Sequence, residues 1–459
     1  MTVRLHHPSP ARHGLAAVLA ITLAAGAAQA QPADSAGAAL RLTLSDAVTR
    51  AVETSHRLAE ARARQQGAEA TARVRQAADQ PTVTASGGYT RTNHVDVFGI
   101  PQPDGSLRVV YPDIPDNYRT RVEAQWPIYT GGRADALERA ARAEAGATEQ
   151  DLRAARADLR LEVVRAYWAL VTATEAVRVL EEALARADAH LRDVRSQFDV
   201  GLVPPNDVLS VEAQRSREEM QLIEARNQRE SSATDLRRLT GLALDAPLVA
   251  VENLEAPSAA PSAAPAAVNA ALIGEALKAR PERQALELRI DGAADRTRAA
   301  AAGRLPAVAF IGGVDYANPN ARIFPRDDTW RRSWDVGVNV SWALWDAGRT
   351  KAEMAEAAAA QTAARERLAE FDSLASAEVR QRSLDLDSSH AVVRASADAV
   401  RSATEARRVV TERFNVGVAT STDVLDAQLA LLQAELDRTR ALAGVRLAEA
   451  RLERALGRP

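Results

Sequence analysis

The 459-residue sequence contains no cysteine, only three methionines and few aromatic residues (4%). Without cysteine, neither disulfides nor a lipid attached to an N-terminal cysteine are expected. The net charge is -3, and this mild acidity does not favour a nucleic-acid partner. After residue 30 no apolar run approaches the ~20 residues that a spanning helix needs, so any segment that crosses a membrane must do so as β-strands.

Residues 1–30 have the pattern of a signal peptide. They combine two basic residues (Arg4 and Arg12), a central apolar run and an A-x-A cleavage site ending at Ala30. The segment contains no acidic residue, so its removal would change the net charge from -3 to -5. The mature chain is therefore predicted to be exported.

No pattern in the sequence indicates catalysis. The sequence contains no zinc-protease helix motif, no nucleophile elbow, no P-loop and no dinucleotide-binding fingerprint. The histidines that follow residue 30 are isolated from one another: His56, His94, His190 and His390. We therefore predict no enzyme activity, no catalytic residue, no metal site and no cofactor.

The chain contains an internal duplication. The stretch FDVGLVPPNDVLSVE at 198–212 returns as FNVGVATSTDVLDAQ at 414–428, an offset of 216 residues. The same offset relates WPIYTGGR at 126–133 to WALWDAGR at 342–349, so no residue is inserted or lost across this span. The predicted domains are a first repeat at 31–241, a linker or equatorial segment at 242–272 that contains a Pro/Ala/Ser stretch, and a second repeat at 273–459.

Each repeat alternates between two periodicities. Segments with helical period predict six main helices, at 44–79, 133–200, 207–240, 273–303, 349–416 and 421–456. Segments with period two predict four strands, at 82–91, 118–128, 307–316 and 334–344. The fold class is thus mostly α with a β-sheet, built from a duplicated strand-helix unit.

The predicted helix at 133–200 has a sustained heptad of apolar residues, typical of coiled-coil packing. Its length corresponds to roughly 100 Å, and the helices at 44–79 and 207–240 are each about half as long. Two short helices stacked end to end would therefore match one long helix. The equivalent segment at 349–416 has a more polar seam, and this inequality suggests that one of the two seams faces a drier neighbour.

The predicted strands have one apolar face and one charged face. Tyr118, Trp126, Trp334 and Trp342 lie on the apolar side, and the two tryptophans of the second repeat are separated by about 20 Å along a tilted strand, similar to the spacing of aromatic girdles in a membrane barrel. Alternation alone fits a half-buried sheet in a soluble domain equally well. The signal peptide and the girdle favour a barrel, which four strands cannot close, so several chains must share it.

Taken in order, the doubled turns and strand ends resemble the TolC family of outer-membrane efflux proteins. The resemblance implies a homotrimer with a twelve-stranded β-barrel, a twelve-helix periplasmic tunnel and an equatorial belt at 242–275. It further implies contact with outer-membrane lipid, a periplasmic adaptor and an inner-membrane transporter. The implied function is a passive channel of a tripartite efflux pump or a type I secretion system, located in the outer membrane of a Gram-negative bacterium. The alternatives are a periplasmic coiled-coil scaffold or an adaptor without a pore.

The resemblance assigns the doubled turns to the periplasmic tip. The glycines Gly201 and Gly417 are suited to leaving a helix at positive φ, and turn chemistry alone would favour them. Both Val-Gly-x turns of this sequence resemble the site at which members of the family dock a periplasmic adaptor. The residues concerned are Val200, Gly201, Leu202, Val416, Gly417 and Val418.

The resemblance also implies a periplasmic gate, which would be formed by Asp423, Asp426, Asp207 and Phe414. The first two share one helix face, being three residues apart. Asp207 and Asp423 are each explained by helix capping, with Thr420 completing a capping box, but Asp426 is not. In the family, aspartates at the positions of Asp423 and Asp426 ring the tunnel constriction. Phe414 and Ala419 depart from the Tyr and Arg of relatives, so a less firmly latched closed state is expected.

Overall fold

This computed structural model describes residues 40–255 and 266–458. The predicted signal peptide at 1–30 and residues 256–265 of the Pro/Ala/Ser stretch predicted at 256–267 lie outside the described residues. The helices are α1 (Leu44–Thr54), α2 (His56–Gln76), α3 (Arg133–Asp199), α4 (Pro205–Thr240), α5 (Ala266–Ala279), α6 (Pro281–Ala301), α7 (Arg349–Asn415) and α8 (Ser421–Ala455). The strands are β1 (Leu40–Leu42), β2 (Thr82–Arg91), β3 (Phe98–Pro101), β4 (Leu107–Tyr111), β5 (Asp116–Tyr129), β6 (Leu248–Ala250), β7 (Ala307–Asn318) and β8 (Arg331–Ser341).

Two predicted helices are interrupted in the structure. The helix predicted at 44–79 breaks at Ser55, whose hydroxyl accepts a hydrogen bond from the Leu58 N–H (3.3 Å) and so caps a new helix. The helix predicted at 273–303 breaks before Pro281, because proline lacks an N–H and occupies the first position of α6. Prediction missed both breaks, although serine and proline signalled them.

The strand predictions were incomplete. The strand predicted at 334–344 runs over Arg331–Ser341, so it ends before Trp342. The hairpin of β3 and β4 and the parallel pair of β1 and β6 were not predicted. Each of these strands has only three to five residues, too few for a period of two to be recognised.

The four main strands form one antiparallel sheet in the order β2-β5-β7-β8. One row across this sheet reads Ala85, Val122, Val314 and Trp334, so the apolar face is continuous through both repeats. Register is fixed by this alternation, since a slip by one residue would move every apolar side chain to the charged face.

The helices α3 and α7 each contain 67 residues, but the single chain buries them to different extents. Twenty-one residues of α3 are buried against α2, α4, α6 and α8, whereas six residues of α7 are buried. The main core lies around Val163, Tyr167 and Leu170 of α3. Most of the α7 surface is therefore available for contacts outside this chain.

The side chain of Tyr167 attaches the short β1–β6 sheet to α3. Its ring is fully buried, and its hydroxyl donates to the Leu42 carbonyl (3.1 Å). The same oxygen accepts from the backbone N–H groups of Val251 (3.0 Å) and Glu252 (3.2 Å). One hydroxyl thus joins two chain segments more than 200 residues apart.

Replacing Tyr167 with phenylalanine should destabilise the chain without creating a cavity. The Glu252 N–H would lose its partner, and the Leu42 carbonyl and the Val251 N–H would keep only the hydrogen bond that joins them (3.2 Å). We therefore expect the free energy of unfolding to fall by about 2 kcal/mol. Thermal unfolding in mild detergent measures this change. Tyr129→Phe, at a half-exposed strand residue, is the matched control, and an equal effect of both substitutions would contradict the assignment.

Candidate channel surfaces and periplasmic tip

Each long helix ends in the same glycine turn. After α3, Gly201 has φ 78°, its N–H donates to the Phe198 carbonyl (2.9 Å), and the Leu202 N–H donates to the Gln197 carbonyl (2.8 Å). After α7, Gly417 has φ 76° and the same pair of hydrogen bonds is present. These are Schellman turns, in which the left-handed residue is normally glycine. The expected positive φ of both glycines is confirmed.

The two helices that follow the turns begin differently. The Thr420 hydroxyl accepts from the Asp423 N–H (3.2 Å), and the Asp423 carboxylate accepts from the Thr420 N–H (2.8 Å), which confirms the predicted capping box. This donation from the Thr420 N–H is the main reason that the pKa of Asp423 lies below its usual value. In the first repeat, Pro205 occupies the first helical position instead.

The acidic residues at the tip have different surroundings. One carboxylate oxygen of Asp423 is occupied by the cap, whereas Asp426, one turn later on the same face, is exposed to solvent. Asp207 is half-buried in the first turn of α4. The carboxylate of Asp426 is thus the more accessible of the pair on α8.

The outermost surface of both turns is aliphatic. Val200, Leu202, Val416 and Val418 expose between 63% and 74% of their surface. Together with the two glycines they form what we call the tip surface. Four exposed aliphatic side chains at the extremity of a structure are typical of a contact site for another protein.

Behind the tip surface, the hairpin of α3 and α4 packs against the hairpin of α7 and α8. Phe414 is buried there in an apolar cluster with Val194, Val211 and Val424. Its ring meets the imidazole of His190 edge to face, with ring centroids 5.2 Å apart. Phe414, which the sequence assigned to a gate, therefore lies at the interface between the two hairpins.

At the other end of the chain, aromatic residues border the apolar face of the sheet. The indole N–H of Trp126 donates to the Asp79 carbonyl (3.0 Å), and that of Trp342 donates to the Arg304 carbonyl (3.1 Å). Both carbonyls belong to the short 3-10 turns that precede the strands, so each tryptophan ties a strand end to a helix end.

The opposite border of this face is also aromatic. Tyr118 contacts Tyr89 and Trp330, which in turn stacks on Tyr316 at 4.9 Å between ring centroids. Trp334 is 72% exposed. The sequence did not indicate that Trp330 and Tyr316 belong to this aromatic border, because their proximity depends on strand register.

The other face of the sheet holds a cluster of ion pairs around Arg121. Its guanidinium binds Asp315 (2.6 Å), Asp335 (2.8 Å) and Glu123 (2.6 Å). The guanidinium lies against Gly313, where any side chain would collide with it. Arg119 also binds Asp315 (2.7 Å), and Arg322 binds Asp335 (2.9 Å). The charges of this face are thus neutralised in pairs.

Within residues 40–255 and 266–458, two kinds of feature are absent. None of the helices there has the length and apolarity required to cross a membrane. Within the same ranges, no group of three or more histidine or acidic side chains is arranged to bind a metal ion.

The fold places the chain in the same structural class as solved outer membrane proteins, on which it superposes. These include VceC from Vibrio cholerae (20% identity, 90% of this chain and 96% of that chain, TM-score 0.75). They also include MtrE from Neisseria gonorrhoeae (19% identity, 90% of this chain and 89% of that chain, TM-score 0.74). The chain belongs to the outer membrane efflux protein family, whose profile matches residues 47–242 and 272–458.

A curated relative agrees with this assignment. The chain is 27% identical to the outer membrane protein TolC of Vibrio cholerae over 302 residues, 65% of this chain and 67% of that protein. The family resemblance found in the sequence is confirmed. As a member of this family the chain is an efflux channel of the Gram-negative outer membrane with a long periplasmic extension, and not an enzyme.

Proposed function

We propose that the chain forms a homotrimeric channel-tunnel that passively conducts substrate out of the periplasm, as part of a tripartite efflux pump or a type I secretion system. Three copies of the four-stranded sheet would form a barrel of twelve strands. Three copies of α3, α4, α7 and α8 would form a tunnel of twelve helices. An inner-membrane transporter would select and deliver the substrate.

The observation that carries this proposal is the main sheet. β2 and β8 each pair with one strand within the described residues, so the sheet has two open edges. Its apolar face would contact lipid and its charged face would line a lumen. An open edge is unstable in lipid, where backbone groups find no water, so the edges must pair between chains. This arrangement argues against the alternative functions, a coiled-coil scaffold or an adaptor, which have no need of such a face.

The helices support the same assembly. Leu374, Leu384 and Val392 on α7 are more than half exposed in the single chain, although α7 has the same length as the well-buried α3. Contacts between α7 and other helices of the neighbouring chains would cover such side chains. The exposed aliphatic tip surface would then dock a periplasmic adaptor, with six turns arranged around the tunnel mouth.

The gate gives a direct test of the proposed function. Three-fold symmetry would place Asp426 of each chain around one axis, where carboxylates attract cations. In planar bilayers the channel should be cation-selective, and a trivalent cation added on the periplasmic side should block it. Asp426→Ala should weaken that block by roughly tenfold or more, because a smaller ring of like charges holds a multivalent ion far less strongly.

The matched control is Asp207→Ala, the acidic residue at the start of α4. This variant should keep the block, and both variants should remain trimers in mild detergent. Block that survives in Asp426→Ala but disappears in Asp207→Ala would show that the ring belongs to the first repeat. Material that cross-links only as monomers or dimers would contradict the trimer.

A further inference from the structure

His190 lies inside the interface between the two helical hairpins. It is 5% exposed in a single chain, so its environment is set by its own chain. Its Nε2 atom lies 3.1 Å from the hydroxyl oxygen of Ser421, the first residue of α8. The same ring also contacts Phe414 at the end of α7, edge to face. One imidazole on α3 therefore touches both helices of the second hairpin.

The groups that surround this imidazole would stabilise a positive charge on the ring only poorly. The apolar cluster beside it contributes Val211 from α4 and Val424 from α8, and Ser421 and Phe414 are neutral. Burial lowers the pKa of His190, while Asp193 on its own helix and a backbone hydrogen bond to Ser421 partly oppose this by raising it. The lowered pKa keeps the ring neutral at neutral pH.

The charged residues on the neighbouring helices are exposed or paired with other groups. On α4, Glu212 forms an ion pair with Arg195 of α3 (2.6 Å). On α7 and α8, Arg413 and Asp423 are exposed to solvent, and Asp423 is engaged by its own helix cap. Protonation of the imidazole inside the packed interface would thus place a cation next to valine and phenylalanine.

We propose that His190 is an acid-sensitive latch of the periplasmic tip: the neutral ring holds the α7–α8 hairpin against the α3–α4 hairpin, and its protonation releases that hairpin. This inference rests on the proposed channel function and adds a mode of regulation to it. The residue acts by positioning the second hairpin and contacts no substrate.

The direction of the pH effect follows from proton linkage. In the packed state burial depresses the pKa of His190, whereas an opened tip would expose the ring to water and restore its usual pKa. The packed state is therefore fully stabilised above the usual histidine pKa. That stabilisation is lost as the pH falls below it, so acid favours the open tip.

A second buried group, Glu218, should respond to acid in the opposite direction. Glu218 of α4 is 2% exposed, accepts a hydrogen bond from Gln214 (3.0 Å), and burial raises its pKa. Nearby Arg186 and Arg217 lower it in part. Its protonated form suits the packed state, so acid would favour packing through Glu218 and opening through His190. Replacing Glu218 with glutamine removes this opposing response.

The absence of cysteine allows a direct measurement of opening. Val424 is 1% exposed beside His190, so Val424→Cys in the full-length trimer would react with a polar maleimide only when the hairpins separate. Asp199→Cys, in the exposed turn, corrects for the effect of pH on thiol reactivity. In Glu218→Gln channels, the ratio of the two labelling rates should rise at least about threefold between about pH 7.5 and about pH 5.5.

The decisive variant is His190→Gln, whose amide can still bond Ser421 but cannot gain a charge. Its labelling ratio should be flat over the same pH range. His56→Gln, at an exposed histidine of α2, should respond like the parent. Two results in the Glu218→Gln background would overturn the latch: a ratio that rises equally when His190→Gln is added, or a ratio that does not rise while His190 is present.

Two further measurements complete the test. Val211→Cys, at a fully buried residue of α4, is a second reporter in case the substitution at Val424 disturbs folding. It should give the same labelling ratios. Bilayer conductance separates this inference from the proposed function. A channel that conducts while its labelling ratio stays flat refutes the latch alone, whereas a trimer that conducts at neither pH refutes the channel.

Discussion

Replacing Val338 with arginine should prevent trimer assembly in the outer membrane, whereas replacing the adjacent Asn339 should not. Val338 is 63% exposed on the apolar face of β8, opposite Phe310 of β7. In the proposed barrel this face contacts lipid near the bilayer midplane, where an arginine costs ~2–4 kcal/mol per chain. The trimer would carry this cost three times. Asn339 points to the opposite face, where an arginine would remain in water.

The two variants differ by one position in one strand, so each serves as the control for the other. The yield of folded trimer extracted from outer membranes is the measurement. Equal yields would mean that the apolar face does not contact lipid, and that the assignment of the two faces is wrong.

The second large effect is expected at the tip. When Gly201 and Gly417 are both replaced by valine, efflux should be lost while trimers still reach the membrane. Open space surrounds both glycines, so an added Cβ would meet no neighbour. The damage would instead come from the backbone, because a β-branched residue at these positive φ values is strained by about 1–3 kcal/mol.

The control for this double variant is Gly67→Val. Gly67 also has open space around it but lies within α2 with an ordinary helical backbone. Efflux from cells that carry the matching adaptor and pump should survive this change. If the double valine variant exports substrate normally, the shape of the turns is not needed for docking. Loss of its trimers would instead assign the turns a purely structural role.

Local patterns were sufficient to predict much of this fold. The long helices, the main strands and both glycine turns depend on residues close in sequence, such as Thr420 with Asp423. The duplication added information, because equal spacing in two copies reveals a length requirement that one copy cannot show. The misplaced boundaries at Ser55 and Pro281 also had local causes, and closer attention to capping residues would have found them.

The features that prediction missed depend on contacts between distant residues. The hydroxyl of Tyr167 meets a strand that pairs across more than 200 residues, and no periodicity contains that information. The same holds for His190 and Ser421, which are 231 residues apart. A charged face of the strands was predicted, but the three partners of Arg121 on that face could be identified only from the strand register.

The pairing of charges around Arg121 has an electrical consequence for the assembled pore. The three arginines and three acidic residues of that cluster cancel, so the wall of the proposed barrel attracts neither anions nor cations strongly. Ions would pass through the barrel and the tip one after the other, and the barrel would not discriminate between them by charge. The acidic ring at the tip would then determine which ions carry the current through the whole length of the channel.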